Sequence, residues 1–335
     1  MARIELRYTD MHTAGEPVRI VTGGYPELTG ATILDKRRQA REHYDHLRRA
    51  MMFEPRGHEG MYGVIPVKPS VPGAVLGVLF THHEGYSTMC GHATVALGRW
   101  IVEQGLVAKI EPVTRFIMEA PCGSLAMECQ VVNGEVTGVT FESVPAFVEG
   151  HDETFDVPGY GLITTDIAYG GAYYAILPAS RFGLDLFATP VAQLVDAAAA
   201  LTDTIRAQRK IAHPDADDLG FLYGTIVTDE AVGDMPSANL CVFAERQIDR
   251  APTGSGVTAR MALDHAKGQM ALGTLRRFYG IAGVPFDGRI TRAEGSTVRV
   301  AVSGQGYYAG QGSFIIEDDD ALGYGFELPK HFKPV

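Results

Sequence analysis

Thr88-Met89-Cys90-Gly91-His92-Ala93-Thr94-Val95-Ala96-Leu97 and Ala251-Pro252-Thr253-Gly254-Ser255-Gly256-Val257-Thr258-Ala259 read as two copies of one device. In each, a residue with a sulfur or oxygen side chain, Cys90 or Thr253, precedes a glycine and a polar residue. Small residues then open an apolar-periodic segment. This is the pattern of a helix N-terminus, whose first backbone N–H groups lack intrahelical acceptors and point beyond the helix end. Two such ends facing each other make an anion pocket flanked by two candidate proton-transfer groups. Of the two, only Cys90 has a side chain able to act as a base.

Around these two starts the chain is rich in short strand-like runs, at 74–80, 115–119, 124–132, 136–144, 172–177, 224–228, 297–302 and 313–316. Asn133-Gly134 is a hairpin turn signal between two of them. Helical periodicity predicts helices over 36–52, 92–104, 191–209 and 256–278, most clearly in Val191, Leu194, Val195, Ala198, Leu201 and Ile205. Each half thus offers many strands and two helices, one of them following the Cys90 or Thr253 motif. The expected fold is α/β (α+β) with two similar domains, 1–158 carrying Cys90 and 159–335 carrying Thr253. The last strand is free to return to the first domain.

Composition limits the partners. A chain of 335 residues with net charge -11 lacks the clustered lysine and arginine that nucleic acid or an anionic membrane rewards. Its basic run, Lys36 to Arg49, is interleaved with Ala40, Tyr44 and Leu47 at helical spacing and reads as a solvated helix face. Charges occupy the N-terminus where a signal peptide needs an apolar core, and no apolar run reaches membrane-spanning length. The expectation is a soluble, cytoplasmic protein. Four cysteines do not suggest a disulfide framework. Cys241 lies in an apolar strand-like run, Cys122 and Cys129 flank another, and all three read as buried structural thiols.

A thiol at a helix N-terminus is expected to ionise more readily, because the positive end of the helix favours thiolate. The commoner fate of a lone cysteine is burial without function, but Met89-Cys90-Gly91-His92 places permissive and polar residues where a core would want apolar ones. Thr253 is by default an ordinary N-cap whose hydroxyl satisfies a first-turn N–H. Asp249 supplies an anion to the same neighbourhood, and spacing alone does not separate a ligand role from neutralisation by Arg250 at the surface. His58 sits in a turn-rich segment that lines either a pocket or the surface. Three patterns are set aside. Gly254-Ser255-Gly256-Val257-Thr258-Ala259 lacks the tight strand-to-helix turn of a dinucleotide site. His82, His83, Cys90 and His92 match no common metal-ligand spacing. Asp215, Asp217, Asp218 and Gly220 lack the closing glutamate of a calcium loop.

Five ordered segments resemble the proline racemase family over nearly the whole chain: Asp10-Met11-His12-Thr13-Ala14-Gly15-Glu16-Pro17, Glu54-Pro55-Arg56-Gly57-His58, Met89 to Thr94, Asp166-Ile167-Ala168-Tyr169-Gly170-Gly171, and Asp249 to Gly256. The resemblance implies two similar domains, each a mostly antiparallel sheet wrapped around a central helix, with the active site in the cleft between them. Racemases and epimerases of the family carry cysteine in both motifs; here the second has Thr253. That Cys-then-Thr pairing resembles the trans-3-hydroxy-L-proline dehydratase branch. It implies Cys90 and Thr253 as catalytic positions. Gly91, His92, Gly254 and Ser255 would surround the substrate carboxylate, and Asp249 would meet the ring ammonium. No metal or organic cofactor is implied. Family members are often homodimers, but no segment identifies an interface. The rival activities are 4-hydroxyproline epimerase and proline racemase, which need an acid–base group on each face of the α-carbon. A binding protein without turnover has no use for the thiol, and a thiol-redox protein lacks a second cysteine near Cys90.

Overall fold

The computed structural model describes residues 3–328. The first half runs β1 (Arg3–Thr13), β2 (Glu16–Gly23), α1 (Ile33–His43), α2 (Asp45–Met52), β3 (Gly63–Val67), β4 (Ala74–Thr81), β5 (Tyr86–Ser87), α3 (Gly91–Glu103), β6 (Val113–Ala120), β7 (Gly123–Val132) and β8 (Glu135–Glu142). The second runs β9 (Phe147–Val157), β10 (Gly161–Tyr169), β11 (Tyr173–Pro178), α4 (Val191–Gln208), β12 (Leu222–Thr228), β13 (Ser237–Phe243) and β14 (Gln247–Asp249). It then continues through α5 (Gly254–Ala266), β15 (Leu275–Tyr279), β16 (Pro285–Glu294), β17 (Thr297–Gly304) and β18 (Gly306–Glu317).

Hydrogen bonding links β18-β1-β2-β3-β4-β6-β7-β8 into one curved sheet, and β17-β16-β15-β13-β12-β11-β10-β9 into a second. Most of these pairings are antiparallel; β2–β3, β4–β6, β11–β12 and β13–β15 are parallel. The antiparallel pair β8–β17, Val139↔Gly304 to Glu142↔Ala301, joins the two sheets. Each sheet wraps one helix. α3 packs on β8, β1, β18 and β7, while α5 packs on β10, β17, β9 and β16. Every residue from Gly91 to Gly98 is buried, as is every residue from Gly254 to Leu263. A helix buried all round is a core element, not a surface one. Fully buried Val95, Leu97 and Ile101 of α3 each contribute about 1.5–3 kcal/mol by removal from water. The one charge in the middle of α5, Arg260, is satisfied by donating to Asn239 Oδ1 (3.0 Å) and Ser237 Oγ (2.5 Å).

The predicted helices shift in two places. The 36–52 segment is two helices, because Tyr44 leaves helical geometry (φ -130°, ψ 16°). The first starts earlier, at a capping box in which Thr32 Oγ1 accepts from Asp35 N (3.1 Å) and Asp35 Oδ2 from Thr32 N (2.9 Å). The 256–278 segment stops at Ala266, where left-handed Gly268 (φ +69°) and a Gln269 N–H bond to Asp264 O (2.8 Å) end it. The basic run is a solvated face only in part: Arg41 and Arg49 are exposed. Lys36, Arg37 and Arg48 are buried, and Arg48 is held by Asp45 (2.6 Å) and by the carbonyls of His82 (2.6 Å) and His83 (2.5 Å). No helix among the described residues is long and apolar enough to cross a membrane.

Candidate active site

The two helix starts quoted above meet. A Cβ added to Gly254 would lie 2.7 Å from Gly91 Cα, and one added to Gly91 would fall on Gly254. Glycine is therefore required at both positions for close approach of backbone to backbone. Thr94 makes the first intrahelical bond of α3, donating to Cys90 O (3.0 Å), and Val257 does the same in α5, donating to Thr253 O (2.6 Å). The N–H groups ahead of them, those of Gly91, His92, Gly254 and Ser255, lie at the two helix ends, where they have no intrahelical acceptor. Other recurring segments hold this arrangement: Thr13 Oγ1 donates to His92 O (2.9 Å), and Thr88 Oγ1 to Gly171 O (2.6 Å).

Between the helix ends lies a small cavity of about 10 Å³. That is about the free space one water molecule needs, so the lining side chains stand nearly closed on one another. Cys90, Gly91, His92, Asp249, Thr253 and Ser255 all line it; of the seven residues expected at the site, only Gly254 is behind the wall, against Gly91. Met89, Tyr62, Tyr174, Tyr223 and Phe243 supply the rest of the lining. Tyr223 and Phe243 stack (5.3 Å between ring centroids), and Tyr174 Oη and Ser255 Oγ are hydrogen-bonded at 2.7 Å.

Cys90 is the N-cap of α3, in extended geometry, and its Sγ accepts the Ala93 N–H at 3.4 Å. The expected ionisation does not follow. Burial pushes the thiol well above its ordinary pKa. The Ala93 N–H acts in the opposite direction, and Asp249 and Glu16 add to the rise. The helix end therefore lowers the pKa as expected, but desolvation is larger. His92 Nδ1 lies 3.1 Å from Cys90 Sγ. Burial lowers the His92 pKa to about 3, so the ring is neutral and can take a proton from sulfur only as part of an ion pair with it. The backbone N–H of His92 was legible in sequence; this ring contact was not, although Cys-x-His at a helix start is its signal.

Thr253 does not cap its helix. Its backbone is left-handed (φ 65°, ψ 86°), it makes no side-chain cap bond, and its hydroxyl is buried near Asp249 without a well-formed hydrogen bond among the described residues. A β-branched residue in that region is strained, and it stands in the cavity wall. Asp249 is not neutralised at the surface. Arg250 bonds instead to Glu16 Oε2 (3.3 Å) and Gly60 O (2.9 Å). Asp249 is left with the Ala251 N–H (2.8 Å) and no cationic partner among the described residues. Burial raises its pKa to about 7, while Thr253 and the Ala251 N–H oppose the rise. A buried carboxyl without a cation either keeps its proton or takes a cationic partner.

The other sequence candidates fall elsewhere. His58 is exposed, its Nδ1 2.9 Å from Glu59 O, and the same loop sends Tyr62 into the cavity instead. Cys129 and Cys241 are buried as expected; Cys122 is half-buried by surface, and burial of its thiol still raises it to about 12. Asp218 pairs with Arg38.

The chain belongs to the proline racemase family, whose profile (Proline racemase) matches residues 8–327. It is 51% identical over 334 residues to the trans-3-hydroxy-L-proline dehydratase of Homo sapiens, covering 96% of this chain and 94% of that protein. It is 40% identical over 328 residues to the 3-hydroxyproline 2-epimerase of Burkholderia multivorans, covering 96% and 97%. Its fold matches a hydroxyproline epimerase from Agrobacterium vitis crystallised with trans-4-hydroxy-L-proline (TM-score 0.90, 25% identity, 97% of this chain and 95% of that one).

Proposed function

We propose that this member of the proline racemase family dehydrates trans-3-hydroxy-L-proline to Δ1-pyrroline-2-carboxylate and water without a cofactor. The observation that carries the reading is the pairing at the two helix ends: a thiol at one and a threonine at the other. Inverting a stereocentre needs a base on one face of the α-carbon and an acid on the other. Thr253 is too weak an acid–base group for that. In trans-3-hydroxy-L-proline the hydroxyl is trans to the carboxylate, so it shares a face with the α-hydrogen. One thiol on that face suffices to take the α-proton, and the acquired proton is then available where the hydroxyl leaves.

The substrate carboxylate sits at the N–H groups of Gly91, His92, Gly254 and Ser255, which also stabilise the charge that spreads into it as the α-proton departs. The ring ammonium meets Asp249. Its positive charge beside the buried sulfur offsets the burial that raises Cys90, so the thiolate forms when substrate is bound. His92 Nδ1 is the basic nitrogen nearest the proton that sulfur releases. The Thr253 hydroxyl binds the other face without taking a proton. The enamine formed by elimination tautomerises to the cyclic imine. A cytoplasmic, catabolic role fits a chain with four free cysteines.

The test is to incubate the protein with proline, 4-hydroxyproline and the 3-hydroxyproline isomers, following imine formation and optical inversion. Imine from trans-3-hydroxy-L-proline alone is expected. Racemisation of proline at a comparable rate, or preference for the cis-3 isomer, overturns the single-face mechanism.

A further inference from the structure

One cavity-lining group has no part in the mechanism so far. Tyr62, in the loop leading into β3, is almost fully buried (1% exposed), and its ring lies edge-on to His92 with centroids 4.8 Å apart. Its hydroxyl is buried within reach of the Cys90 sulfur and Ser87, yet makes no well-formed hydrogen bond among the described residues. A buried phenol without a well-formed hydrogen bond is costly, and phenylalanine would fill the same space without that cost. Ser87 Oγ is already committed, donating to Met89 O (2.8 Å), and Tyr174 Oη is committed to Ser255. Two hydroxyls in the cavity wall are thus buried without well-formed hydrogen bonds, Thr253 and Tyr62. Thr253 belongs to the α5 end. Tyr62 lines the cavity beside Cys90.

We infer that Tyr62 is a catalytic residue that hands the proton to the leaving 3-hydroxyl, in a relay that starts and ends at Cys90; this rests on the dehydratase reading. The Cys90 thiolate takes the α-proton, and the electrons of the Cα–H bond spread into the carboxylate before they form the C2–C3 double bond. The C3–O bond breaks with its electron pair on oxygen. That oxygen takes the Oη proton of Tyr62 and leaves as water. The phenolate takes the proton held on Cys90 sulfur, which restores both the phenol and the thiolate. Taking a proton at C2 and delivering one at the C3 oxygen are thereby assigned to two adjacent atoms, and sulfur need not move between them. A phenol is also the correct partner for the substrate before reaction, since it completes its own missing hydrogen bond by donating to the 3-hydroxyl.

The experiment compares wild type and Tyr62→Phe on trans-3-hydroxy-L-proline and trans-3-fluoro-L-proline, because fluoride departs without full protonation. General acid catalysis is worth about 10²–10⁴-fold, so water loss should fall by about 100-fold or more, and fluoride loss by no more than about fivefold. The α-deuterium isotope effect on dehydration should drop towards unity as C–O cleavage becomes limiting. The thermal midpoint should change little, because the deleted hydroxyl has no well-formed hydrogen bond to lose. Dehydration within about threefold of wild type overturns the relay. So does an equal fall in both eliminations, or an undiminished isotope effect, either of which marks Tyr62 as a residue that only positions Cys90. Failure of the dehydratase reading looks different: wild type itself yields no imine from trans-3-hydroxy-L-proline, and the relay falls with it.

Discussion

Adding one methyl group where the two helix ends touch should separate the halves of the anion cradle. In Gly254→Ala the new Cβ lies 2.7 Å from Gly91 Cα, whereas ordinary contact begins near 3.4 Å, so the ends must part by about 0.7 Å. Phe141 Cζ, 3.4 Å from the new Cβ, is already at ordinary contact distance. Overpacking of this kind costs about 1–3 kcal/mol of stability. The catalytic cost should be larger in proportion, because a misplacement of about 1 Å loses on the order of 10²-fold in rate. We expect kcat to fall by roughly 10–100-fold, with weaker binding of a planar five-membered-ring carboxylate that mimics the deprotonated α-carbon. Gly91→Ala, whose Cβ falls closer still to the opposing backbone, should be the more damaging of the two. Steady-state kinetics, calorimetric titration with the planar carboxylate and a thermal melt read all three quantities. A Gly254→Ala enzyme with kcat within about threefold of wild type would refute the cradle, as would a Gly91→Ala enzyme less impaired than Gly254→Ala.

Cys90→Ser should abolish dehydration, by about 10³-fold or more, while thermal stability and affinity for the planar carboxylate change little, since the cradle is backbone; turnover by the folded variant would remove Cys90 as the base. Thr253→Cys places a second thiol at the facing helix end, and L-proline incubated with it in D2O should acquire α-deuterium and some D-isomer, seen by NMR and chiral chromatography. Because burial holds the Cys90 thiol well above its usual range, alkylation of free enzyme by iodoacetamide at neutral pH should be slow and should accelerate continuously into the alkaline range; rapid neutral labelling at Cys90, read by mass spectrometry, would contradict that. Asp249 has a folded pKa raised to about 7. Native protein therefore holds an extra proton between the ordinary carboxylate range and about 7, and this contribution to stability is lost as pH rises through that window. Affinity for L-proline moves the opposite way, tightening between about pH 6 and about pH 8 as Asp249 ionises, and calorimetry should find that change flattened in Asp249→Asn.

Much of the site was legible because helix starts have a local grammar. Cys90-Gly91-His92 and Thr253-Gly254-Ser255 carry their geometry in consecutive residues, and the two helices begin at Gly91 and Gly254. What local sequence could not supply was environment. The dipole argument for Cys90 was correct in sign, but the burial that outweighs it comes from distant segments, including the strands that bring Glu16 and Asp249 near the sulfur. Arg250 follows Asp249 directly, yet it turns to Glu16, a residue 234 positions away. The basic run read as a surface because helical spacing cannot reveal that a loop carrying His82 and His83 will cover Arg48. Tyr62 escaped notice for a related reason: within Gly60-Met61-Tyr62-Gly63 an aromatic looks like a packing residue, and only a buried hydroxyl without a well-formed hydrogen bond marks it out.

The pairing of β1 with β18 bears on the order in which the chain can fold as it is synthesised. Arg3 to Thr13 run antiparallel to Gly306–Glu317, and Leu6 and Ile316 are buried in the same small core. The strand that completes the sheet around α3 is therefore made last. Until it emerges from the ribosome, β1 has β2 on one side and an open row of N–H and C=O groups on the other, an invitation to intermolecular strand pairing. A nascent chain halted before residue 306 should be more prone to proteolysis and aggregation in its N-terminal half than its C-terminal half. Loop closure across nearly the whole sequence also places this protein among slow, non-local folders. The same adjacency brings the two edges of the chain together on one sheet, so a short linker between them and new ends opened at the exposed Asn133-Gly134 turn would give a permuted chain that makes its completing strand early.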